Sequence, residues 1–430
     1  MFGHHRTEVL VVGAGPVGLF TALALKQRGV NVNIVDEEWR PGARSYALAL
    51  HPKSMEIFAK LGLGKEIQEQ AYRVDRLLLR TDGRLTATLP FSAVGGDHPY
   101  LTILPQSTLE DLLFQRLEQL GVHVLWNQRV EDLQMGERSV VASIDELAKV
   151  GGGYAISTTE WLIERTIHTE ADYVIGADGC HSTVRRALGF EHELLGPPDF
   201  FAVFEFECDI PTPHEACICV EDSTINVLWP LPNGRCRWSF QIKQDEHAAT
   251  ESRTKERLAV QIGDRAYPFV SERDLRNFLQ TRAPWFPREI GPIHWSMIVR
   301  FERRLAEAFG RDRVWLLGDS AHMTGPAGVQ SMNIGFREGF ELAGILENIL
   351  RMHGAQSQLA AFGQRQHDEW RWMLGLSGGL SPANVSDPWL AKNAKRLLPC
   401  IPASGDDLIK FVQPLGLVPM APHPADTTGG

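Results

Sequence analysis

Cysteine is scarce in this chain. Six residues among 430 (Cys180, Cys208, Cys217, Cys219, Cys236, Cys400) are too sparse and irregular for a disulfide framework, which points to a reducing, cytoplasmic compartment. Cys217 and Cys219 form a CxC pair, but no second Cys or His pair lies at zinc-finger spacing, so no metal site is expected. Positive charge is also in short supply. The 43 Lys and Arg against 53 Asp and Glu leave a formal net of −10, so no uniformly basic surface is available for nucleic acid. No apolar run reaches the roughly 18 residues of a transmembrane helix, and no membrane partner is expected. Neither an internal repeat nor a low-complexity block is evident. With 43% hydrophobic and 22% charged residues the composition is that of a globular protein, and the length suits two or three domains.

The start of the chain has the outline of a secretory signal, with His4, His5 and Arg6 ahead of an apolar stretch running to Leu25. Its glycines decide otherwise. Residues 8–12, EVLVV, suit a strand buried on both faces, and GAGPVG at 13–18 follows at once. Gly13 allows the tight turn, Gly15 lets the backbone approach a pyrophosphate, and Gly18 lets the next helix pack closely on the strand. Pro16 lies between them. The helix LFTALALKQRG then aims its free amides at the phosphates. A second strand, VNVNIVDEE, delivers Asp36 and Glu37 about 20 residues past the glycines, where a carboxylate accepts ribose hydroxyls. The acid favours an unphosphorylated ribose, as in FAD or NAD, and this motif alone leaves the choice between those two open.

Three later segments carry related patterns. In ARSYALALHPKSMEIFAKLGLG, residues 43–64, Pro52 stands near a helix start and Gly62 near its end. Arg44, just before, is either a solvated loop charge or a phosphate or flavin contact. DYVIGADGCHSTVR, residues 172–185, reads as strand, DG turn and a helix capped by Ser182 or Thr183. Residues 314–346 run from an apolar strand through Gly318-Asp319 and a glycine-rich loop into a long helix whose amino terminus can stabilise an anionic ring edge.

Together these motifs resemble the class A flavoprotein monooxygenases. GAGPVG with Asp36 resembles that family's ADP-binding fingerprint, DYVIGADGCHSTVR its DG motif, and GDSAHMTGPAGVQSMNIG its GD motif; LPQSTLEDLLFQRL at 104–117 is similar to its Gln-containing segment. The resemblance implies an α/β fold: a Rossmann-like FAD-binding domain of the GR2 type with an antiparallel β-sheet substrate domain, a para-hydroxybenzoate hydroxylase-like fold. It implies that Gly13, Ala14, Gly15, Pro16 and Gly18 face the FAD pyrophosphate, that Asp36, with Glu37 beside it, holds the adenosine ribose, and that Arg44 and Gln106 contact the phosphate and ribityl region. Val130 is then near adenine, Asp178 and Gly179 serve FAD and the pyridine nucleotide, and Arg185 closes their turn. Asp319 binds the ribityl chain, while Pro326, Gly328, Met332 and Asn333 line the isoalloxazine. Pro326 and Arg44 are the candidates for positioning the flavin catalytically. The sequence departs from the family at Val329 and Ser331, which are often glycine, and at Glu338 and Glu341, which replace Asp and Asn; a stiffer flavin loop is the consequence expected.

The FAD domain is expected to be discontinuous, from 1–75, 101–190 and 293–375, with helices on a mostly parallel sheet. Segments 76–100 and 191–292 form the substrate domain: FFAVFEFECDI, ACICVE, TINVLWPL and CRWSFQI are short strands separated by turn residues such as PNG. Residues 376–430 are expected to be a tail without a thioredoxin-like domain. Trp229, Trp238 and Phe240 either stack on an aromatic substrate or fill the sheet's core. His214 is a candidate base or a surface histidine, and His322 in the GD loop a structural hydrogen-bonding group.

The activity implied by the resemblance is insertion of one oxygen atom of O2, through a flavin C4a-hydroperoxide and with NADPH or NADH as reductant, into a small aromatic or polyketide-like substrate. Hydroxylation leads; epoxidation, Baeyer-Villiger insertion and N-hydroxylation use the same peroxide. A halogenase is disfavoured because no WxWxIP segment is present. A flavin-binding redox sensor without turnover is the alternative from another class. The resemblance leaves monomer and homodimer both open.

Overall fold

The β-branched run that precedes the first glycines forms the centre of the molecule. In the computed structural model, which describes residues 5–39, 48–151, 159–210, 213–221, 224–243, 260–262, 265–267, 270–325, 328–383 and 388–420, the strand His5–Val12 lies between Val32–Val35 and the long strand Thr159–Gly176. Val124–Leu125 and Val314–Leu316 extend this parallel sheet on its two sides. Val9, Leu10 and Val11 are fully buried, as in a strand covered on both faces. The helix Pro16–Gln27 packs against the helices Gln106–Gln119 and Gln330–Met352. Phe20, Phe58 and Phe336 meet there with ring centroids 5.0 to 5.1 Å apart. Such tilted and edge-on pairs add about 1 kcal/mol each beyond the area they bury.

Parallel strands that run in one direction also end on one side. The turns after Val12, Val35, Gly176 and Leu316 therefore bring Gly13, Asp36, Asp178 and Asp319 to the same edge of the sheet, where open α/β sheets hold their ligands.

A second sheet has seven strands in the order Ile293–Phe301, Asp199–Glu207, Arg235–Ile242, Thr224–Leu231, Glu215–Glu221, Arg76–Thr81 and Arg84–Pro90. Every neighbouring pair is antiparallel except Glu215–Glu221 with Arg76–Thr81, which run parallel. The strand Ile293–Phe301, counted with the flavin domain from the sequence, belongs to this sheet: it pairs along its length with Asp199–Glu207. The Pro- and Gly-containing stretch before it is a loop inside the sheet domain rather than a boundary.

The carboxyl-terminal segment also differs from expectation. The strands Gly379–Pro382 and Leu417–Met420 pair, and the helices Pro388–Leu397 and Gly405–Val412 lie between them in the chain. Ile401, Ala403, Phe411 and Val412 are buried in the main core, and Phe411 stacks on Phe91 at 4.6 Å. The prolines and glycines that suggested a tail punctuate short amphipathic helices. No helix among the described residues is long and apolar enough to cross a membrane.

Candidate functional site

Two of the three fingerprint glycines are required by the protein's own backbone. A Cβ on Gly13, whose φ is +100°, would stand 2.3 Å from the Ala177 carbonyl oxygen, and one on Gly18 would stand 1.9 Å from that of Gly13. Gly15 differs: a Cβ there meets nothing within 4 Å, so the region before the helix amino terminus is an open cradle. Pro16 begins the helix, and no side chain caps its amides. Asp36 ties the two turns together. Its Oδ2 accepts from Ala14 N at 2.5 Å and its Oδ1 from Glu38 N at 2.8 Å. Burial raises the pKa of this carboxyl, the two amides oppose the rise, and the Asp178 charge adds to it. Each oxygen keeps acceptor capacity for a ribose hydroxyl. Glu37 is exposed beside it.

Asp178 organises the DG turn. Its Oδ2 accepts from Thr183 N at 2.8 Å and Val184 N at 3.1 Å, and its Oδ1 from Ser182 Oγ at 2.6 Å and Ser320 Oγ at 3.1 Å. Ser182 is the helix cap, as one of the two residues expected, and Gly179 has a φ of +74°. Arg185 is buried with Nη1 on Ser320 O and Nη2 on Cys180 O, both at 2.9 Å. Its side chain therefore braces the DG turn against the GD loop, and the donors named are aimed at carbonyls rather than at the open cradle.

Asp319 is accessible to solvent yet ringed by protein, the situation of a side chain lining a deep cleft; burial raises its pKa and His322 opposes the rise. Among the described residues it makes no hydrogen bond. Behind it lies a buried cluster. His322 Nε2 meets Glu338 Oε2 at 2.9 Å, Trp370 Nε1 donates to Glu338 Oε1 at 3.0 Å, and the His322 and Trp370 rings stack 3.9 Å apart. Burial pushes the Glu338 carboxyl up, but His322 and the hydrogen bonds reverse this and hold it below the usual range. The glutamate that replaces the family's aspartate is thus fully engaged.

The flavin-loop helix begins at Gln330 with Val329 as its cap, at φ +50° and ψ +35°. That left-handed backbone suits glycine, and a β-branched residue there is strained by about 1 to 3 kcal/mol. Asn333 has all its side-chain valences spent: Oδ1 accepts from His51 N at 2.8 Å and Ser54 Oγ at 2.7 Å, and Nδ2 donates to Ala49 O and Val329 O. His51 Nε2 lies 2.9 Å from Gly328 O, and burial lowers its pKa to about 4, so the ring is neutral and donates. Gly328 abuts the carboxyl-terminal segment, where a Cβ would stand 2.6 Å from Pro399 O. Gln330 Nε2 reaches the carbonyls of Leu398, Ile401 and Ala403. Ser331 Oγ accepts from Thr324 N at 3.0 Å, and Met332 is buried. Arg44 and Pro326 lie outside the described residues.

Gln106, at the first position of its helix, donates to the buried Glu110 at 2.8 Å. Val130 is buried on the strand Gln128–Met135 and pairs with Ile144. His214 is exposed at φ +64°, stacked on Tyr72 with Nδ1 2.7 Å from Arg73 O. Of its two readings, base or surface histidine, this exposed placement fits the surface histidine. Trp238 and Phe240 correct their selection as substrate contacts. They stack on each other at 4.9 Å and pack with Phe278 and Phe286 beneath the seven-stranded sheet. Trp229 pairs across the strands with Arg237, so it points to the opposite face from Trp238.

On that opposite face, Trp229, Arg237, Ser239 and Trp295 meet Leu48 and Val329 around a cavity of ≈ 20 Å³. This is room for about one water, so a ring enters only when the walls part. Arg237, Ser239 and Trp295 were missed from the sequence, although Arg235, Arg237 and Ser239 alternate with Cys236, Trp238 and Phe240 in the period of a two-faced strand. A larger groove of ≈ 1240 Å³ lies between residues 307–315 and the helix Ser357–Met373, and none of the predicted site residues lines it. No group of three or more His, Cys, Asp or Glu residues able to hold a metal occurs among the described residues.

The open cradle at Gly15, the Asp36 carboxylate beyond it and the accessible Asp319 fit an ADP-ribose joined to a longer group that reaches the GD loop. Residues 6–373 match the family model described as an FAD binding domain. The chain belongs to that family. Membership bears out the class A flavoprotein resemblance drawn from the motifs, and FAD as the cofactor. The chain is 26% identical over 423 residues to 6-methylpretetramide 4-monooxygenase of Streptomyces rimosus, covering 95% of itself and 66% of that protein. It is 27% identical over 363 residues to para-nitrophenol 4-monooxygenase of a Pseudomonas species, covering 81% of itself and 80% of the relative. It spans about two thirds or less of the length of several such relatives. The solved p-nitrophenol 4-monooxygenase of Pseudomonas putida superposes with a TM-score of 0.69 at 21% identity, covering 96% of this chain and 97% of that one, and so shares the fold.

Proposed function

We propose that the protein is an FAD-dependent, NAD(P)H-consuming monooxygenase that inserts one oxygen atom from O2 into an aromatic or polyketide-like small molecule. The observation that carries the reading is the placement of the cavity walled by Trp229, Trp295 and Val329. It lies between the sheet and the first residue before the flavin-loop helix, so a flat substrate admitted by a parting of these walls would lie against the loop that the family uses for its flavin ring. The names of the relatives, which are monooxygenases of phenols and polyketides, support the same class.

When bound, FAD would supply the redox chemistry, taking up two electrons from NADPH or NADH and activating O2 so that one oxygen atom could pass to the substrate and the other to water. The chain's own residues hold, orient and exclude water. Gly15 and the helix amino terminus would face the pyrophosphate, Asp36 the ribose and Asp319 the ribityl hydroxyls. Asn333, His51 and Gln330 hold the flavin loop in register with the strand Ala49–Leu50 and the segment 398–403. The apolar cavity wall keeps bulk water from the reacting atoms. No side chain is required as nucleophile.

The test is direct. The FAD-loaded protein is supplied with NADPH or NADH, 18O2 and a panel of phenols and polycyclic phenols. Ligand-stimulated reductant oxidation with one labelled oxygen in the product is expected. Oxidation that yields only hydrogen peroxide across the panel, or no flavin reduction at all, refutes the reading.

A further inference from the structure

Four of the six cysteines, Cys208, Cys217, Cys219 and Cys236, lie on the face of the seven-stranded sheet that turns away from the cavity, in the core shared with Trp238, Phe240 and Leu275. Two of them meet across strands. The Cys208 thiol donates to Cys236 Sγ at 3.1 Å, although the two residues are 28 apart in the chain. Strand pairing brings them together: Phe206 stands opposite Cys236 and Glu207 opposite Arg235. Cys208 N then donates to Gly234 O at 2.9 Å, which holds Cys208 beside the hairpin turn at Asn233 and Gly234. Two positions on from Phe206, Cys208 is on the same face and diagonal to Cys236. Cys236 is fully buried, whereas Cys208 is partly exposed.

Reach and access distinguish this pair from two packed thiols. A disulfide joins its sulfurs at about 2.05 Å, so an approach of roughly 1 Å closes the bond. Cys208 lies one residue past the strand Asp199–Glu207, where the backbone gives more readily than in the middle of a ladder. A small oxidant in solvent reaches Cys208 first. Burial and the Cys208 neighbour push the Cys236 thiol up, so Cys236 stays protonated until its neighbour has reacted. The CxC pair gives the contrast. Cys217 and Cys219 have their sulfurs 3.5 Å apart, but both are fully buried. Same-face neighbours on one strand also stand about 6.7 Å apart at Cα, at the far limit of disulfide geometry.

We propose that Cys208 and Cys236 are a reversible oxidation site, which hydrogen peroxide closes to a disulfide. The Cys208 thiolate attacks one peroxide oxygen and the O–O bond breaks. Cys208 becomes a sulfenic acid, and the hydroxide released leaves as water with the proton that the thiol gave up. The Cys236 sulfur then displaces the sulfenic oxygen, which leaves as a second water with the Cys236 proton. Two electrons pass from the two sulfurs to the peroxide. The bond pins the end of the strand Asp199–Glu207 to the hairpin at Gly234, and in a reducing compartment it is transient. The monooxygenase activity proposed above is one source of peroxide, whenever oxygen insertion fails, but the thiol pair needs only the oxidant.

The test treats the full chain, loaded with FAD, with hydrogen peroxide in the dark and without reductant, and follows it by thiol titration and nonreducing peptide mapping. Two of the six thiols are expected to be lost, on a linked Cys208–Cys236 peptide whose mass is lower by two hydrogens, and dithiothreitol is expected to restore both. The link should form at least about tenfold faster than any oxidation of the buried Cys217, Cys219 or Cys400. Cys236→Ala is expected to stop the reaction at a sulfenic acid on Cys208, captured by dimedone, and Cys208→Ala to leave Cys236 reduced. Circular dichroism and FAD content establish that the variants are folded, and the map of the unaltered chain decides the matter where one is not. Six thiols remaining, a link between other cysteines, or passage of Cys208 to a sulfinic acid that dithiothreitol does not reverse overturns the proposal. A second run replaces added peroxide by NADPH or NADH in air, with and without catalase. A link that forms there and is suppressed by catalase supports the flavin as the source; a link formed by added peroxide alone keeps the thiol pair and removes that source.

Discussion

Ser320 donates a 3.1 Å hydrogen bond to Asp178, 142 residues away in the chain, and so joins the DG turn to the GD loop. The same carboxylate caps the helix that begins at Thr183 through two backbone amides. Asp178→Ala removes both functions. Loss of a cap costs about 1 kcal/mol and the partly buried hydrogen bonds about 1 more. The variant is expected to be destabilised by roughly 2 kcal/mol in urea. It should also bind FAD at least tenfold more weakly in a flavin-fluorescence titration, because two walls of the cradle lose their register. Unchanged FAD affinity would show that the link is structural only.

Burial holds the neutral form of His51 down to a pKa of about 4, while the unfolded histidine titrates near 6.5. Between these values the unfolded chain carries more protons than the folded one, so stability rises with pH across that window and is lost as the pH falls below about 6.5. His192, held near 3 by burial and by the Arg185 and Arg304 charges, acts in the same direction. From pH 7 to pH 5 the His51 contribution falls by about 2 kcal/mol. Urea midpoints measured at the two pH values check this: His51→Gln should flatten the dependence by about that amount, with His192 leaving a remainder.

Glu338 is fully buried and accepts from His322 and Trp370. Glu338→Ala strips both partners at once, and breaking a buried pair from one side costs about 3 to 5 kcal/mol. Because the folded carboxyl lies below its ordinary range, its contribution is present at neutral pH and is lost as the pH falls through that lowered value. The cost of Glu338→Ala should therefore shrink in strong acid, a comparison that denaturation at pH 7 and pH 3 makes directly.

Trp229 and Trp238 lie on opposite faces of adjacent strands. Trp238→Ala empties a site that is fully buried under Phe240 and Phe286 and should cost about 3 to 5 kcal/mol of stability. Trp229→Ala, on the cavity side, should lower aromatic-ligand affinity by tenfold or more. Melting curves and ligand titrations on both variants distinguish the two roles. Equal effects on ligand binding would mean that the face assignment is wrong.

Much of the cofactor side was legible in the residue order. A buried strand, glycines and an acid at fixed spacing encode one local turn, in which Gly13 takes a φ of +100° and Gly18 lies against the Gly13 carbonyl; the contact that excludes a Cβ at Gly13 comes from Ala177, far along the chain. Ser182 and Pro52 were placed for the same reason: each acts within a few residues of itself, whereas Asp36, which accepts from Ala14 N 22 residues away, was placed by the spacing of the motif. The order of four parallel strand ends does the rest.

What lies between strands was not legible. Whether Trp229 or Trp238 faces the cavity depends on which residue stands opposite each, and a shift of one position reverses every side chain. Glu205 and Arg237 are 32 residues apart in the chain, and nothing in either segment names the other. The segment 398–403 reads as a proline-containing tail until Gln330 binds its carbonyls. By itself the sequence determined the local backbone of the glycine and DG turns, because a positive φ, the Gly18–Gly13 contact and the Ser182 cap act over a few residues. The tertiary structure alone decided the wall of the cavity beside Val329, because register and burial set which side chains share a face and which charges are held out of water.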